Sequence, residues 1–138
     1  MKIPGVEYRP LCELCNMPQE LYIAETRNFK LYAYNKPFNN GHVVLVHRRH
    51  VSFEELSIEE VYEALDMIRR VEDILDRLYR PNGFNIGIVY KPHVAFHIVP
   101  RWNGDVSFMK VFFDVKPIPE TPIQYANRIR SMLSLGAV

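Results

Sequence analysis

The chain has 138 residues, 48% of them hydrophobic, a size and apolar content typical of one globular domain with a sizeable core, so we expect a single domain over residues 1–138. Its 17 basic and 16 acidic residues leave a net charge of +1, which argues against a surface that binds nucleic acid or membrane. Because the sequence has no apolar segment of the roughly 20 residues that span a bilayer and no apolar signal-peptide core after Met1, we expect a soluble cytoplasmic protein.

Cys12 and Cys15 are the only cysteines of the chain, and two residues separate them. In a reducing compartment such a pair is more typical of metal ligands or of a redox pair than of a structural disulfide. A pair of free thiols without any metal is the alternative, and the spacing alone does not decide between them.

The first half of the chain contains signals for three short strands. Residues 21–25 and 29–34 are predicted strands, and the turn residues 26–28 between them predict a hairpin. A second turn at residues 38–41 leads into the apolar run 42–47, which is suited to a buried strand.

The clearest helix begins after Ser57. Ser57 and Glu60 fit a capping box, and residues 81–83, Pro-Asn-Gly, end the helix. Apolar residues recur between them at spacings of three and four, which predicts a stripe that faces the core. The predicted stripe comprises Ile58, Val61, Tyr62, Leu65, Ile68, Val71, Leu75 and Leu78.

The second half of the chain adds further strands and a helix. Residues 84–90, 93–99 and 108–115 are predicted strands, and Thr121 with Gln124 fits the capping box of a C-terminal helix. Strands grouped around one long helix predict an α+β fold, with an antiparallel sheet and the helix packed on one face.

The segment from His93 to Trp102 reads His-Val-Ala-Phe-His-Ile-Val-Pro-Arg-Trp. A strand has a period of two, so His93, Ala95 and His97 are predicted on one face and the residues between them on the other, towards the core. Two histidines on one strand face are a weak motif alone, since they also suit an ordinary polar sheet face.

This segment resembles the signature strand of the histidine triad family, in which three alternating histidines precede two apolar residues. Several other segments between residues 12 and 109 resemble the same family in the same order, and the run after the strand looks like the subfamily that includes diadenosine tetraphosphate phosphorylases. The matching segments are Cys12-Glu13-Leu14-Cys15, residues 35–42, Arg49-His50, residues 83–87 and residues 100–105. The resemblance makes His93 the first histidine of the motif and His97 the third.

The resemblance also implies a structural zinc site. In the zinc-containing branch of the family, the ligands are a cysteine pair, a histidine after the turn-strand unit and the first histidine of the signature strand. Those positions match Cys12, Cys15, His50 and His93. Four such ligands complete a tetrahedral zinc site without an open position, so the expected role of zinc is structural.

The resemblance further implies that the middle histidine is the nucleophile that carries the nucleotidyl group, and this chain has Ala95 there. The phosphate-binding loop that family members carry before the first histidine is shortened here to residues 88–92. What remains for binding nucleotide is His97 for a phosphate, with Asn35 and Asn85 for a ribose or phosphate. Turn and strand-edge hydrogen bonds are an equally good explanation of the two asparagines.

Three functions follow from these residues. We favour a catalytically impaired protein that binds a nucleotide such as AMP or a dinucleoside polyphosphate. One alternative is an active hydrolase or nucleotidyltransferase of such nucleotides that relies on His97, and the other is a zinc-stabilised scaffold without a small ligand. Family members commonly dimerise through the long helix and a sheet edge, so the resemblance also predicts a homodimer.

Overall fold

A computed structural model describes residues 8–105 and 120–135 of the protein. It has a five-stranded antiparallel sheet in the order β1-β2-β3-β5-β4 and two α-helices, which confirms the predicted α+β fold. The strands are Tyr22–Glu25 (β1), Phe29–Ala33 (β2), Val43–His47 (β3), Gly83–Val89 (β4) and Ala95–Arg101 (β5). The α-helices are Ile58–Tyr79 (α1) and Pro122–Ser134 (α2), and short 3-10 segments occupy Leu14–Asn16, Gln19–Leu21 and Phe53–Glu55. The strand predicted at 108–115 lies outside the described residues.

The predicted hairpin of β1 and β2 is confirmed, and a carboxylate of α1 holds its turn. Glu63 accepts hydrogen bonds from the Thr26 hydroxyl, from the Asn28 backbone N–H at 2.6 Å and from the Asn28 side-chain amide at 2.8 Å. These contacts fix the hairpin against the first turns of the helix that packs on the sheet.

Helix α1 begins where the sequence predicts. The Ser57 hydroxyl accepts from the Glu60 backbone N–H at 3.1 Å, and the Glu60 carboxylate accepts from the Ser57 N–H at 2.8 Å, so the capping box is complete. The helix ends at Tyr79, and Arg80 follows in the left-handed conformation with φ of 47°. The predicted caps of α2 at Thr121 and Gln124 are likewise confirmed.

The predicted apolar stripe of α1 is wrong in its first turns. Ile58, Tyr62 and Leu65 are 67%, 71% and 46% exposed. With 3.6 residues per turn, these three lie roughly 140° around the helix from the side that packs on the sheet. The residues that α1 buries are Ala64, Met67, Ile68, Val71, Ile74, Leu75 and Tyr79. The predicted stripe therefore merged two sets of apolar residues on different sides of α1, and only one of these sides faces the core.

The turn before β3 is held tightly in place. Gly41 has a φ of +82°, and a Cβ atom there would lie 3.1 Å from side-chain atoms of Leu75, Tyr79 and Pro100. The Asn39 amide donates to the Pro100 carbonyl at 2.9 Å. These contacts hold the turn in one position and thereby fix the place of the next residue, His42, at the start of β3.

Helix α2 also holds this turn in place. The Tyr125 hydroxyl donates to the His42 carbonyl at 2.9 Å, and the Glu120 backbone N–H donates to the Asn40 side-chain oxygen at 3.0 Å. Within residues 8–105 and 120–135, no helix is long and apolar enough to cross a membrane.

Candidate metal centre and nucleotide site

Four sulfur- and nitrogen-bearing side chains from three separate parts of the chain meet beside the sheet. Cys12 and Cys15 flank the start of the first 3-10 segment, His50 follows β3, and His93 precedes β5. One ligand atom from each of the four lies within 4.8 Å of the others. The structure therefore brings together the whole set that the sequence predicts as metal ligands.

The spacing of these atoms suits a tetrahedral zinc ion. The Cys12 Sγ lies 3.6 Å from the His93 Nδ1, and the Cys15 Sγ lies 3.5 Å from the His93 Nδ1 and 3.4 Å from the His50 Nδ1. Zn–S bonds of about 2.3 Å and Zn–N bonds of about 2.0–2.1 Å at tetrahedral angles place sulfur and nitrogen ligands about 3.6 Å apart. The four residues therefore fit zinc.

Burial acts in opposite directions on metal binding by a histidine and a cysteine of this set. The buried His93 donates from Nε2 to the His47 carbonyl at 2.8 Å, which turns the lone pair of Nδ1 towards the cysteines. Burial lowers the pKa of the His93 imidazole, which favours the neutral form that binds metal. Burial raises the pKa of the Cys15 thiol, and a divalent cation offsets this by stabilising the thiolate.

His93 does not belong to the strand, contrary to the prediction of a strand over residues 93–99. The ladder between β3 and β5 stops at the pair Val46 and Ala95. Beyond it, the Val94 N–H donates to the Val51 carbonyl at 2.8 Å. The backbone leaves the sheet at this point, and His93 lies among the four candidate metal ligands.

Strand β5 places Ala95 and His97 on the same face of the sheet. Ala95 lies opposite Val46 of β3, and His97 lies opposite Gly87 of β4. Ala95 is 0% exposed, whereas His97 is half-buried. Ala95 is thus part of the packed core, which its position on the predicted site face did not suggest.

A second histidine, His42, fixes the hydrogen-bonding direction of His97. The His42 Nδ1 accepts from the Phe38 backbone N–H at 3.0 Å, and its Nε2 lies 2.9 Å from the His97 Nδ1. Burial and the neighbouring His97 lower the pKa of His42 to about 4, so at neutral pH its single proton sits on Nε2 and is donated to His97. Burial also lowers the pKa of His97, whose own proton must then sit on its Nε2.

His97 therefore presents an N–H donor on the side away from His42, and the Tyr34 ring packs edge-on against it at 4.9 Å. Sequence reasoning missed the side chain of His42 as its partner. The only sequence signal was a histidine at the head of an apolar run.

The two predicted asparagines occupy different surroundings. Asn85 lies opposite Val99 in the β4–β5 ladder, so it is exposed on the same sheet face as His97. Asn35 is exposed in the loop after β2, and across the described ranges no hydrogen bond joins it to His97 or Asn85. The structure brings one of the two asparagines to the face of His97.

Arg101 is held by its neighbours rather than free for a phosphate. Its guanidinium donates to the Asp105 carboxylate at 2.6 and 2.8 Å and lies over the Phe38 ring, 5.0 Å from its centre. The same carboxylate accepts from the Asn39 amide at 2.8 Å. Arg101 thereby helps to hold the turn that carries His42.

Comparisons with known proteins agree with this geometry. No family model matches the chain. An uncharacterized HIT-like protein of Methanocaldococcus jannaschii is 32% identical over 90 residues, which cover 59% of this chain and 68% of that protein. The chain belongs to the histidine triad (HIT)-like family. An AP-4-A phosphorylase of Mycobacterium tuberculosis is 29% identical over 123 residues, or 81% of this HIT-like chain. A bis(5'-nucleosyl)-tetraphosphatase (asymmetrical) of Schizosaccharomyces pombe is 27% identical over 109 residues, or 66% of it.

The matched regions span 63% of the length of the mycobacterial phosphorylase and 60% of the yeast tetraphosphatase.

Solved structures share the HIT fold. A zinc-bound histidine triad family protein from Mycobacterium smegmatis has a TM-score of 0.65 at 23% identity, covering 88% of each chain. The NitFhit protein of C. elegans has a TM-score of 0.68 at 20% identity, covering 84% of this chain and 28% of that one.

The buried His42 should make the stability of this HIT-like protein depend on pH. Its pKa is about 4 in the folded protein against 6.5 in the unfolded chain, so below pH 6.5 the unfolded chain binds the proton first. The free energy of unfolding should fall as the pH drops from 6.5 to about 4, by about 3 kcal/mol from this group.

Urea unfolding of the wild type and of His42→Asn across this pH range checks the prediction. Acid would release any bound metal from both proteins, so the difference between their two curves reports His42. We expect the variant to be less stable at neutral pH, where its bond to His97 is lost, and to show a flatter profile. Parallel curves would contradict the prediction.

Proposed function

We propose that this chain is a zinc-containing HIT protein that binds nucleotides and is impaired in cleaving them. The observation that carries the proposal is the pair of side chains on β5. His97 offers an oriented N–H donor, while Ala95, two residues before it on the same face, offers only a buried methyl group. A donor for phosphate is present, and a nucleophile beside it is not.

The impairment rests on the chemistry of nucleotidyl transfer. A covalent intermediate requires a nucleophilic nitrogen held in line with the leaving oxygen, and Ala95 has none. Position 95 is also fully buried, so an incoming phosphate does not reach it. The short connection at residues 90–94 between β4 and β5 leaves little backbone to surround a polyphosphate.

Retained binding rests on His97 and Asn85. A hydrogen bond from the His97 Nε2–H to a phosphate oxygen is charge-assisted, which makes it stronger than a bond between neutral groups. Asn85 on the same face and Asn35 at the end of β2 are the further contacts that we propose. We propose AMP or a dinucleoside polyphosphate as the ligand, and the names of the mycobacterial and yeast relatives support a dinucleoside polyphosphate.

We propose zinc as the metal, with Cys12, Cys15, His50 and His93 as its four ligands and a structural role. The match of the sulfur–nitrogen distances to tetrahedral zinc supports this assignment. The zinc-bound relative from Mycobacterium smegmatis supports it too. With all four positions filled by protein, the metal would join the N-terminal segment to the ends of β3 and β5.

One zinc per chain is the expected stoichiometry, measured by elemental analysis of the purified protein. Cys15→Ser should weaken zinc binding by more than about 100-fold, because loss of a ligand exceeds the usual effect of outer-shell changes. Leu11→Ala, at a fully exposed neighbouring position, is the control and should bind zinc as the wild type does. Equal zinc dissociation constants for Cys15→Ser and the wild type in chelator competition would exclude the proposed ligand set.

Calorimetric titration of the zinc-loaded protein with AMP, ADP and diadenosine tetraphosphate tests the nucleotide site. We expect saturable binding, about 10-fold weaker in His97→Ala because a hydrogen bond to a charged group is lost. Asn85→Ala and Asn35→Ala separate the two proposed asparagine contacts.

Cleavage of diadenosine tetraphosphate should stay far below about 1 per second, the lower end of common enzyme rates. Rapid cleavage that His97→Ala abolishes would instead indicate an active enzyme. Zinc binding without any nucleotide binding would indicate a scaffold.

We also propose a homodimer formed through β4 and α1. Strand β4 is at the edge of the described sheet, and its Ile86 and Ile88 are exposed. The first turns of α1 expose Ile58, Tyr62 and Leu65 as well. Apolar side chains at an unpaired strand edge favour association with a second copy, which would pair the edge and cover the side chains.

Light scattering should therefore give about twice the chain mass of 16.3 kDa. Ile88→Lys should shift the protein towards the monomer, because the new charge would be buried in the interface. Ile123→Lys, at an exposed apolar position on α2, is the matched control and should leave the dimer intact. A monomeric mass for the wild type would contradict this arrangement.

A further inference from the structure

His47, the last residue of β3, is buried and uses both of its ring nitrogens. Its Nδ1 accepts from the Arg49 backbone N–H at 3.1 Å, and its Nε2 lies 2.7 Å from the Glu60 carboxylate. A backbone N–H can only donate, so Nδ1 carries no proton and Nε2 donates to Glu60. The two contacts together fix the tautomer and the orientation of this ring.

The backbone of His47 acts on the metal centre directly. Its carbonyl accepts from the His93 Nε2 at 2.8 Å and so directs the His93 Nδ1 towards the cysteines. Its ring bonds Arg49, the residue immediately before His50, and so shapes the turn that leads to that ligand. A single residue thus positions both imidazoles of the centre.

Glu60 connects this arrangement to the first turn of α1. One carboxylate oxygen accepts from the Ser57 N–H at 2.8 Å in the capping box, and the other accepts from His47. Burial raises the pKa of Glu60, but the bonds from Ser57 and His47 outweigh it and lower the pKa overall, so the group is ionised. The carboxylate therefore joins the start of α1 to residues 47–50, which lead to His50.

We propose that Glu60 and His47 are a pair of positioning residues that sets the metal affinity of the centre, and that metal binding in turn stabilises the first turn of α1. This inference rests on the proposed zinc site. Outer-shell partners of metal ligands commonly change metal affinity by about 10–100-fold. Because coupling between two sites is reciprocal, a helix start that strengthens metal binding is strengthened equally by the metal.

Glu60→Gln tests the pair while keeping the capping box, since Gln124 fills the same position in α2. When its amide oxygen accepts from Ser57, its NH₂ group faces the N–H of His47, so two donors meet. The other tautomer of His47 would instead place a proton against the Arg49 N–H. One hydrogen bond is lost either way, and we expect the zinc dissociation constant to rise about 10–100-fold in chelator competition.

Glu63→Gln is the matched control. Glu63 lies on the same helix and also holds the sheet, but its hydrogen bonds go to Thr26 and Asn28, whereas those of Glu60 go to Ser57 and His47. We expect Glu63→Gln to lower the stability of the metal-free protein in urea and to leave the zinc dissociation constant close to that of the wild type.

Replacing zinc with Co²⁺ gives a visible absorption spectrum that general destabilisation of the protein does not change. The visible absorption of tetrahedral Co²⁺ depends on how its sulfur and nitrogen ligands are oriented. We expect the Co²⁺ bands to shift in Glu60→Gln and to match the wild type in Glu63→Gln. Should Glu60→Gln fail to fold, His47→Asn and His47→Ala replace it. In His47→Asn, the side-chain oxygen can still accept from the Arg49 N–H. We therefore expect His47→Asn to bind zinc more tightly than His47→Ala does.

Three results would overturn the inference. A wild-type dissociation constant in Glu60→Gln would exclude the pair and leave the zinc site standing. Equal weakening in Glu60→Gln and Glu63→Gln would mean general destabilisation. A wild-type protein that binds no zinc would remove the proposed site, and the inference with it.

Discussion

The convergence of four sulfur and nitrogen atoms beside the sheet is the constraint that organises much of this molecule. Cys15 lies 35 residues from His50 and 78 from His93, and contacts both. An ion bound there closes long loops of chain at one point, and long closures remove the most disorder from the unfolded chain. The N-terminal segment contributes short 3-10 turns and half-buried side chains, and a bound ion would fix its place on the sheet.

The adjacent strands β3 and β5 carry both halves of the candidate site. The cysteines, His50 and His93 meet where β3 ends and β5 begins, while His42 and His97 meet where β3 begins. All five residues of β3 are buried, so the strand is a stiff spacer between the two. Under the proposed zinc site, His93 would serve only the structure, and His97 would be the histidine whose N–H is available to a ligand.

Local sequence signals predicted most of the fold. Capping residues located the starts of α1 and α2, and turn residues located the hairpin, because these interactions involve neighbours in the chain. Spacing did not reveal which apolar residues of α1 the sheet covers, since Ile58 and Tyr62 repeat as regularly as the core residues.

Contacts between distant residues could not be predicted from local pattern. The bond between His42 and His97 spans 55 residues, and the burial of Ala95 depends on what packs over the sheet. The metal ligands were predicted from the resemblance to a family rather than from the spacing of the cysteines. Periodicity also extended β5 to His93, although the chain leaves the sheet before that residue.

The complete burial of Ala95 has a structural consequence under the proposed function. The Ala95 side chain has no exposed surface, so the larger imidazole ring would have to displace buried neighbours, and overpacking a core costs about 1–3 kcal/mol. A histidine placed at position 95 would therefore lower the stability of the protein unless the side chains around it became smaller. Under the proposed function, a nucleophile at this position would require changes in the packing of the core as well as the new imidazole.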